Sequence, residues 1–481
     1  MGLYKILLVN PNRMRPPIAP IGIEYVAADL QRRGYEVRPC DLTLAEHWRD
    51  ALEMELRGFA PDVIGVSVRN LDDAYFASQD FVLELTAGIV GAIRELTSAP
   101  VVLGGIGFSI APEEVMAYTG APYGIVGDGE GAFAGLIEAI RAGREPSEVP
   151  GAVFRDESGR ACVVSPSWSD ISGLATPGRR WVDNVRYFAE GGQVGIETKR
   201  GCNQTCLYCV EPHAKGPRIR PRAPESVVEE ITDLLDQAID VFHLCDSEFN
   251  LPADHAYAIC EAIRRHGLGR RIRWYAYGSP VPFDRDLARA MAWAGCIGIN
   301  FGVDHASAEM LTRLGRTYPP EVLRETADAC RGAGLAVMFD MLLGGPGERR
   351  ETLAEAIGAM RAIRPDRVGL SCGVRIYPHT RLAEMVRRQG PLASNPHLHG
   401  TIEGNECFLK PIFFVDSSLG LAIHRIVSGL VDGDPMFLHA DPDQVDGNYN
   451  YNDNSVLAQA IRDGHRGAYW DILRRLDKTA P

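Results

Sequence analysis

The run Gln193-Val-Gly-Ile-Glu-Thr-Lys-Arg-Gly-Cys-Asn-Gln-Thr-Cys-Leu-Tyr-Cys-Val210 decides the fold. Its first part, Gln193 to Lys199, is rich in β-formers and reads as a strand. The strand feeds into a short loop carrying Cys202, Cys206 and Cys209, spaced C-x3-C-x2-C, with Tyr208 before the last thiol. Three thiolates on one loop can hold three irons of a [4Fe-4S] cube and leave the fourth open to a small molecule. A four-cysteine loop would close it.

Two simpler readings of the cysteines fail. A zinc site wants four protein ligands, or three and a water, and no paired CxxC or HxxxH lies at a finger-like distance. A disulfide does not suit the context. The chain opens on no apolar leader and holds no run of about 18 apolar residues, so a cytoplasmic location with reduced thiols is expected. The other eight cysteines (Cys40, Cys162, Cys245, Cys260, Cys296, Cys330, Cys372 and Cys407) are scattered, mostly in apolar runs, and read as small core residues.

Downstream of the loop, strand-like runs alternate with helical patterns. The strands are Val241 to Cys245, Ile272 to Tyr277, Ile297 to Val303, Ala336 to Leu343 and Arg367 to Ile376. The helices are Glu225 to Ala238, Ala253 to Arg265, Arg285 to Trp293, Pro320 to Gly332 and Arg350 to Arg361. With the first strand this makes six βα units, hence a parallel sheet whose active groups sit at the strand C-terminal ends.

The cysteine loop and the six units together resemble the radical S-adenosylmethionine (SAM) family, whose fold is a partial (β/α)6 barrel. The resemblance implies a [4Fe-4S] cluster on Cys202, Cys206 and Cys209, SAM on the open iron, Tyr208 at the cofactor, and an external electron donor of flavodoxin or ferredoxin type. It also places Glu248 at the SAM amino group and Asp304 at the ribose hydroxyls or methionyl group. Arg316 falls to the SAM carboxylate, Leu343 and Gly344 to the adenine, and Tyr377 to the adenine or substrate rim. In place of the family's Gly-Gly-Glu this chain has Asp246-Ser-Glu248, so the local backbone is expected to differ.

Residues 1–150 form a different unit, a doubly wound Rossmann-like pattern. Its strands are Lys5 to Asn10, Val63 to Val68, Val101 to Gly105 and Gly124 to Gly129, with a helix from Gly22 to Arg33. No G-x-G-x-x-G opens that helix, which disfavours a dinucleotide. Asn10-Pro-Asn, Gly22-Ile-Glu-Tyr and Gly104-Gly105 resemble the cobalamin-binding domain found ahead of many radical SAM barrels. The Asp-x-His-x-x-Gly motif that gives cobalt a histidine is absent. The resemblance therefore implies cobalamin held without that ligand, with Arg69 under the cobalt, or a scaffold without cofactor. Residues 151–190 read as a linker with a hairpin, 191–390 as the barrel, and 391–481 as a small, mainly helical capping segment containing the tract Asp446-Gly-Asn-Tyr-Asn-Tyr-Asn-Asp-Asn454.

The net charge of −13 argues against nucleic acid and anionic membranes as partners. From Glu403 to Asp453 nine acids face two bases. If this segment caps the barrel mouth, its field favours a cationic small molecule such as an amino sugar. Similarity to aminoglycoside-pathway enzymes then implies radical dehydration in antibiotic biosynthesis, completed by a separate reductase. Asp246, Glu211 and His213 are the candidates to protonate the leaving hydroxyl. Two alternatives stand beside this: a cobalamin-dependent C-methyltransferase, and a catalytically silent sensor or maturation partner on the same fold.

Overall fold

A computed structural model describes residues 3–174, 176–439 and 454–477. Two seven-stranded sheets organise it. In the first, Lys5–Asn10 lies between Glu36–Asp41 and Val63–Ser67, followed by Val101–Gly104 and Tyr123–Ile125, all parallel. Ile6 to Val9 are all buried, as a strand covered on both faces requires. The strand order turns back at Lys5–Asn10, which opens a crevice beyond the strand C-termini. Glu36–Asp41 was not legible in the sequence, because Glu-Val-Arg-Pro-Cys-Asp is a half-polar run with a proline, tolerated only at a sheet edge. The hairpin Ala152–Arg155 and Ala161–Val163, expected within the linker, continues this sheet antiparallel to Tyr123–Ile125.

The second sheet holds the expected barrel strands as parallel neighbours in chain order: Val194–Ile196, Val241–Leu244, Arg273–Gly278, Cys296–Asp304, Ala336–Leu343 and Arg367–Cys372. Alternation divides their side chains between two faces. Phe339, Met341 and Leu343 pack outward with Leu353, Ile357 and Met360 of helix Arg350–Ile363, while Met338 faces the lumen with Tyr275. A seventh parallel strand, Phe437–His439, pairs with Arg367–Cys372. Three residues carry no readable period, so it was missed. Strand six ends at Cys372, earlier than expected. Gly373, at φ +82°, turns the chain, and Val374–Arg375 joins a separate sheet with Ile412–Phe414 and Leu398–Gly400.

The last described segment also departs from expectation. Its two helices, Ser455–Arg462 and Tyr469–Asp477, are separated around Gly464 and Gly467, both at positive φ. Ala468 and Trp470 pack on Val241, Tyr275, Ala336 and Met338. Val241 and Ala336 begin their strands, so this piece plugs the N-terminal end of the barrel and does not cap the mouth. Of the nine acids read as a cap, Glu403, Glu406 and Asp432 are exposed, and Asp441, Asp443, Asp446 and Asp453 lie outside the described residues, as does the Asn/Tyr tract up to Asp453.

The two sheets are joined through a buried ionic knot. Arg179, fully buried, contacts Glu24 of the first unit at 2.7 Å and Glu230 of the barrel at 2.8 Å. Arg222 meets Glu230 at 2.8 Å, and the Tyr25 hydroxyl donates to Glu230 at 2.7 Å. Two guanidinium groups and two carboxylates thus neutralise one another where water is excluded.

Candidate active site and cofactor clefts

The cysteine loop is held from outside. Leu207, buried among Val374, Ile376 and Leu382, donates its N–H to the Leu314 carbonyl at 2.8 Å and accepts from Leu382 N–H at 2.9 Å. Gly201 (φ +87°) and Gly315 (φ +85°) permit close approaches: a Cβ there would stand 2.0 Å from the Arg218 carbonyl and 2.8 Å from the Thr205 carbonyl. All three thiols are free. Burial pushes the Cys206 thiol up to about 12, and Cys202 and Cys209 shift the same way. Metal ligation takes the thiolate form, so a bound cluster would have to deprotonate them.

Beside the loop, four expected cofactor residues come together. Arg316 Nε donates to Asp304 Oδ2 at 2.6 Å, Nη1 to Glu248 Oε1 at 3.2 Å and Nη2 to the Tyr208 hydroxyl at 3.3 Å. The Tyr208 hydroxyl donates to Asp304 Oδ1 at 2.7 Å. Asp304 sits at φ +61° at the end of strand four, where the pairing register shifts. Glu248 Oε2 is buried without a hydrogen-bond partner. Burial raises the Glu248 carboxyl, against the pull of Arg316. An orphaned, desolvated carboxylate oxygen is an acceptor waiting for a cation, and the ammonium end of SAM has that chemistry. Asp304, by contrast, has one bond on each oxygen, which leaves a second lone pair on each for the expected ribose hydroxyls. Arg316 is engaged by two acids.

None of the three expected acid catalysts carries a proton near neutrality in this arrangement. Burial would raise the Asp246 carboxyl, but Lys199 at 3.0 Å and the Thr198 hydroxyl and amide outweigh it and hold it below the usual range. Asp246 is thus a fixed anion bracing strand one. Burial opposes ionisation of Glu211 as well, yet Lys215 at 2.8 Å and the Ser247 hydroxyl at 2.6 Å keep it ionised. His213 stacks on His379 with centroids 4.2 Å apart. Burial and His379 lower it to about 4, so it holds no proton near neutrality.

The strand-five glycine positions are filled by the chain itself. The Leu343 carbonyl accepts from Gly373 N–H at 2.8 Å, the Gly344 carbonyl from Asp416 N–H at 2.9 Å, and a Cβ on Gly344 would meet Ile423 at 2.8 Å. The close approach there is to a C-terminal helix. Tyr377 turns to the other domain: its hydroxyl donates to Asp72 at 3.0 Å, and Arg375 reaches the same carboxylate at 2.7 Å. Loop 68–73 and the sixth-strand rim are thereby clasped together.

A cavity of about 280 Å³ opens beyond the C-terminal ends of the first sheet, between the two domains. Leu8, Val102 and Ile125 line its floor, and Gly104, Gly105 and Gly127 its side. Arg69 and the barrel residues Glu197, Arg200, Lys215 and Cys245 complete it. A Cβ on Gly104 would meet nothing nearer than the Ile125 carbonyl at 4.0 Å, so the wall there is bare backbone with open space before it. No histidine lines the cavity. These residues fit a cobalamin held without an imidazole ligand, because a guanidinium has no lone pair to give cobalt.

Four lumen residues went unread. His243 and Tyr277 lie with ring centroids 4.4 Å apart, and Asn300 donates to Asp340 at 2.6 Å. Burial lowers His243 to about 4. The available signal was one polar residue inside an otherwise apolar strand run, as in Val-Phe-His-Leu or Ala-Val-Met-Phe-Asp-Met-Leu-Leu.

The comparisons with known proteins divide the chain along the same lines. The Radical SAM superfamily model matches residues 196–360, and a B12 binding domain model matches residues 13–137. Tryptophan 2-C-methyltransferase of Streptomyces laurentii is 32% identical over 80% of this chain and 74% of its own. An uncharacterized methyltransferase of Pyrococcus horikoshii is 26% identical over 80% and 83%. The radical SAM methyltransferase TsrM of Kitasatospora setae, solved with tryptophan and a SAM analogue, superposes with a TM-score of 0.92 at 31% identity, over 98% of both chains. These relatives favour the methyl-transfer alternative over the amino-sugar dehydration and aminoglycoside similarity read from the acidic segment. Among the described residues no helix is long and apolar enough to cross a membrane.

Proposed function

The chain belongs to the radical SAM superfamily, in the branch with a B12-binding domain ahead of the barrel, and from this we propose that it is a cobalamin-dependent C-methyltransferase. The observation that carries the reading is the interdomain cavity with a bare glycine wall, Arg69, and no imidazole among its lining residues. The relation to tryptophan 2-C-methyltransferase supports a tryptophan-like aromatic amino acid as substrate.

Cobalamin, when bound, carries the methyl group that SAM supplies. The chain's own residues do the rest. Cys202, Cys206 and Cys209 hold the cluster, and Glu248 offers its free oxygen to the SAM ammonium. Arg69 keeps a positive charge, and no donor lone pair, at the cavity. In the lumen, Tyr277 offers a ring face, while Asn300 and Asp340 offer an amide and a carboxylate. Replacing C–H by C–CH3 with a methyl-cation equivalent releases one proton. That proton passes to water, since burial that lowers His243 to about 4 makes it too weak a base to hold it. The Asp72 clasp and the Arg179 knot hold the two cofactor clefts in register.

Purification after expression with hydroxocobalamin tests the reading. Corrin absorption in stoichiometric amount is expected, and Arg69→His is expected to shift the spectrum by adding an imidazole donor. S-adenosylhomocysteine is expected to accumulate with product. A chain with a full cluster that takes up no corrin would overturn the proposal.

A further inference from the structure

We propose that Cys372, His424 and His439 form a zinc site in the layer between the barrel sheet and the C-terminal helix. Cys372 ends strand six, His439 ends the seventh strand, and His424 lies in the first turn of helix Ile423–Val431. Leu370 pairs with His439, so alternation puts Leu370, Cys372 and His439 on one face of the sheet. That face is the outer one, because Leu370 and Cys372 share a core with Ile423 and Val427 of the helix. His424, next to Ile423, reaches the same space. The Cys372 Sγ and one ring nitrogen of each histidine all lie within 4.8 Å of one another. Among the described residues this is the one such set.

The donor set selects the ion. One thiolate and two imidazoles suit a borderline-soft divalent cation and do not suit Mg2+ or Ca2+. Zinc takes Cys sulfur at about 2.3 Å and His nitrogen at about 2.0–2.1 Å, so tetrahedral ligands stand roughly 3.3–3.8 Å apart. Closing from at most 4.8 Å needs up to about 1.5 Å of movement, within the reach of side-chain rotation. The charge after binding is a single positive unit. Cys372 is 4% exposed and His424 stacks on Phe76 at 5.5 Å and 17°, while both histidines are half-buried, so a water can take the fourth position that zinc needs.

The site also accounts for a feature of the fold. Phe437–His439 is a strand of only three residues at an open sheet edge, too short to be held firmly by its ladder alone. A metal on its last residue ties it to strand six and to the helix at once. None of the loop cysteines takes part, so the site is independent of the cluster and of the methyl-transfer proposal.

The test uses the full chain with its cluster reconstituted anaerobically, equilibrated with chelator-buffered Zn2+ and assayed for zinc and iron by elemental mass spectrometry. About one Zn2+ per chain beyond the cluster iron is expected. Cys372→Ser and His439→Gln are expected to weaken zinc uptake by at least about tenfold while iron content and circular dichroism stay the same. Because a variant could unfold, Co2+ added to the unsubstituted chain before cluster reconstitution gives a second readout: a thiolate-to-cobalt charge-transfer band that excess Zn2+ abolishes and that Cys202→Ala, Cys206→Ala and Cys209→Ala together leave in place. No zinc beyond background, zinc uptake in the two ligand variants equal to the parent's, or loss of the cobalt band with the loop cysteines would each overturn the proposal.

Discussion

Arg316 stands between two carboxylates and a phenol, all within 3.3 Å, and only 7% of its side chain is exposed. Removing it leaves Asp304 and Glu248 buried and facing each other. Arg316→Met should lower the unfolding free energy by about 3 kcal/mol in urea denaturation. A loss below about 0.5 kcal/mol, the range of ordinary surface changes, would sink this account of the cluster. His243 gives a prediction in pH. Burial lowers its folded pKa to about 4, below the unfolded value of about 6.5. Between those values the unfolded chain takes up a proton that the folded chain refuses. Stability is therefore lost as pH falls from about 6.5 to about 4, by up to about 3 kcal/mol from this group. Denaturation at pH 7 and pH 4.5 should show a smaller pH dependence in His243→Gln than in the parent chain. At this scale the cysteines were legible because their spacing is local. The role of Asp246 was not, because Lys199 and Thr198, which fix its charge, come from another strand.

Two glycines govern the cysteine loop as an element. At Gly315, φ +85° and the Thr205 carbonyl at 2.8 Å exclude a side chain. Gly315→Ala should cost about 1–3 kcal/mol and push the loop away from the Leu314 carbonyl that anchors Leu207. Iron content after reconstitution should drop well below that of the parent chain, while Gly332→Ala, with open space around its Cβ, should leave it unchanged. Equal iron in both variants would contradict the anchoring argument. The six barrel strands were readable in the sequence because each is a buried apolar run flanked by amphipathic helices. The edge strand Glu36–Asp41 and the three-residue strand Phe437–His439 were not, because neither has enough alternation to mark a face. The expected cap at the barrel mouth failed for another reason: charge counts say nothing about which end of a barrel a helix reaches, and Trp470 decides that by packing on Tyr275.

Over the whole molecule, three ionic joints hold the domains together: Arg179 with Glu24 and Glu230, Asp72 with Arg375 and Tyr377, and Arg200 with Asp128 and Glu130. The first lies in the core and the second beside the clefts. Arg179→Met should destabilise by about 3–5 kcal/mol, since it strands two buried acids. Asp72→Asn should change overall stability less and weaken cobalamin binding more, a contrast that a corrin titration and a melting curve on the same two variants can read. The N-terminal domain was recognisable from Asn10-Pro-Asn and Gly104-Gly105, but whether its cleft suits a corrin depends on the barrel residues that complete it, which no local motif reports. The most direct test of the central claim follows the methyl group itself. The reconstituted chain is given SAM with a deuterated methyl group and tryptophan, with and without cobalamin, and the amino acid is analysed by mass spectrometry. Transfer of the intact labelled methyl to a ring carbon, only when cobalamin is present and with S-adenosylhomocysteine formed alongside, is the predicted result. Labelled product formed equally well without cobalamin, or no methylated product from a chain that carries both cluster and corrin, would contradict it.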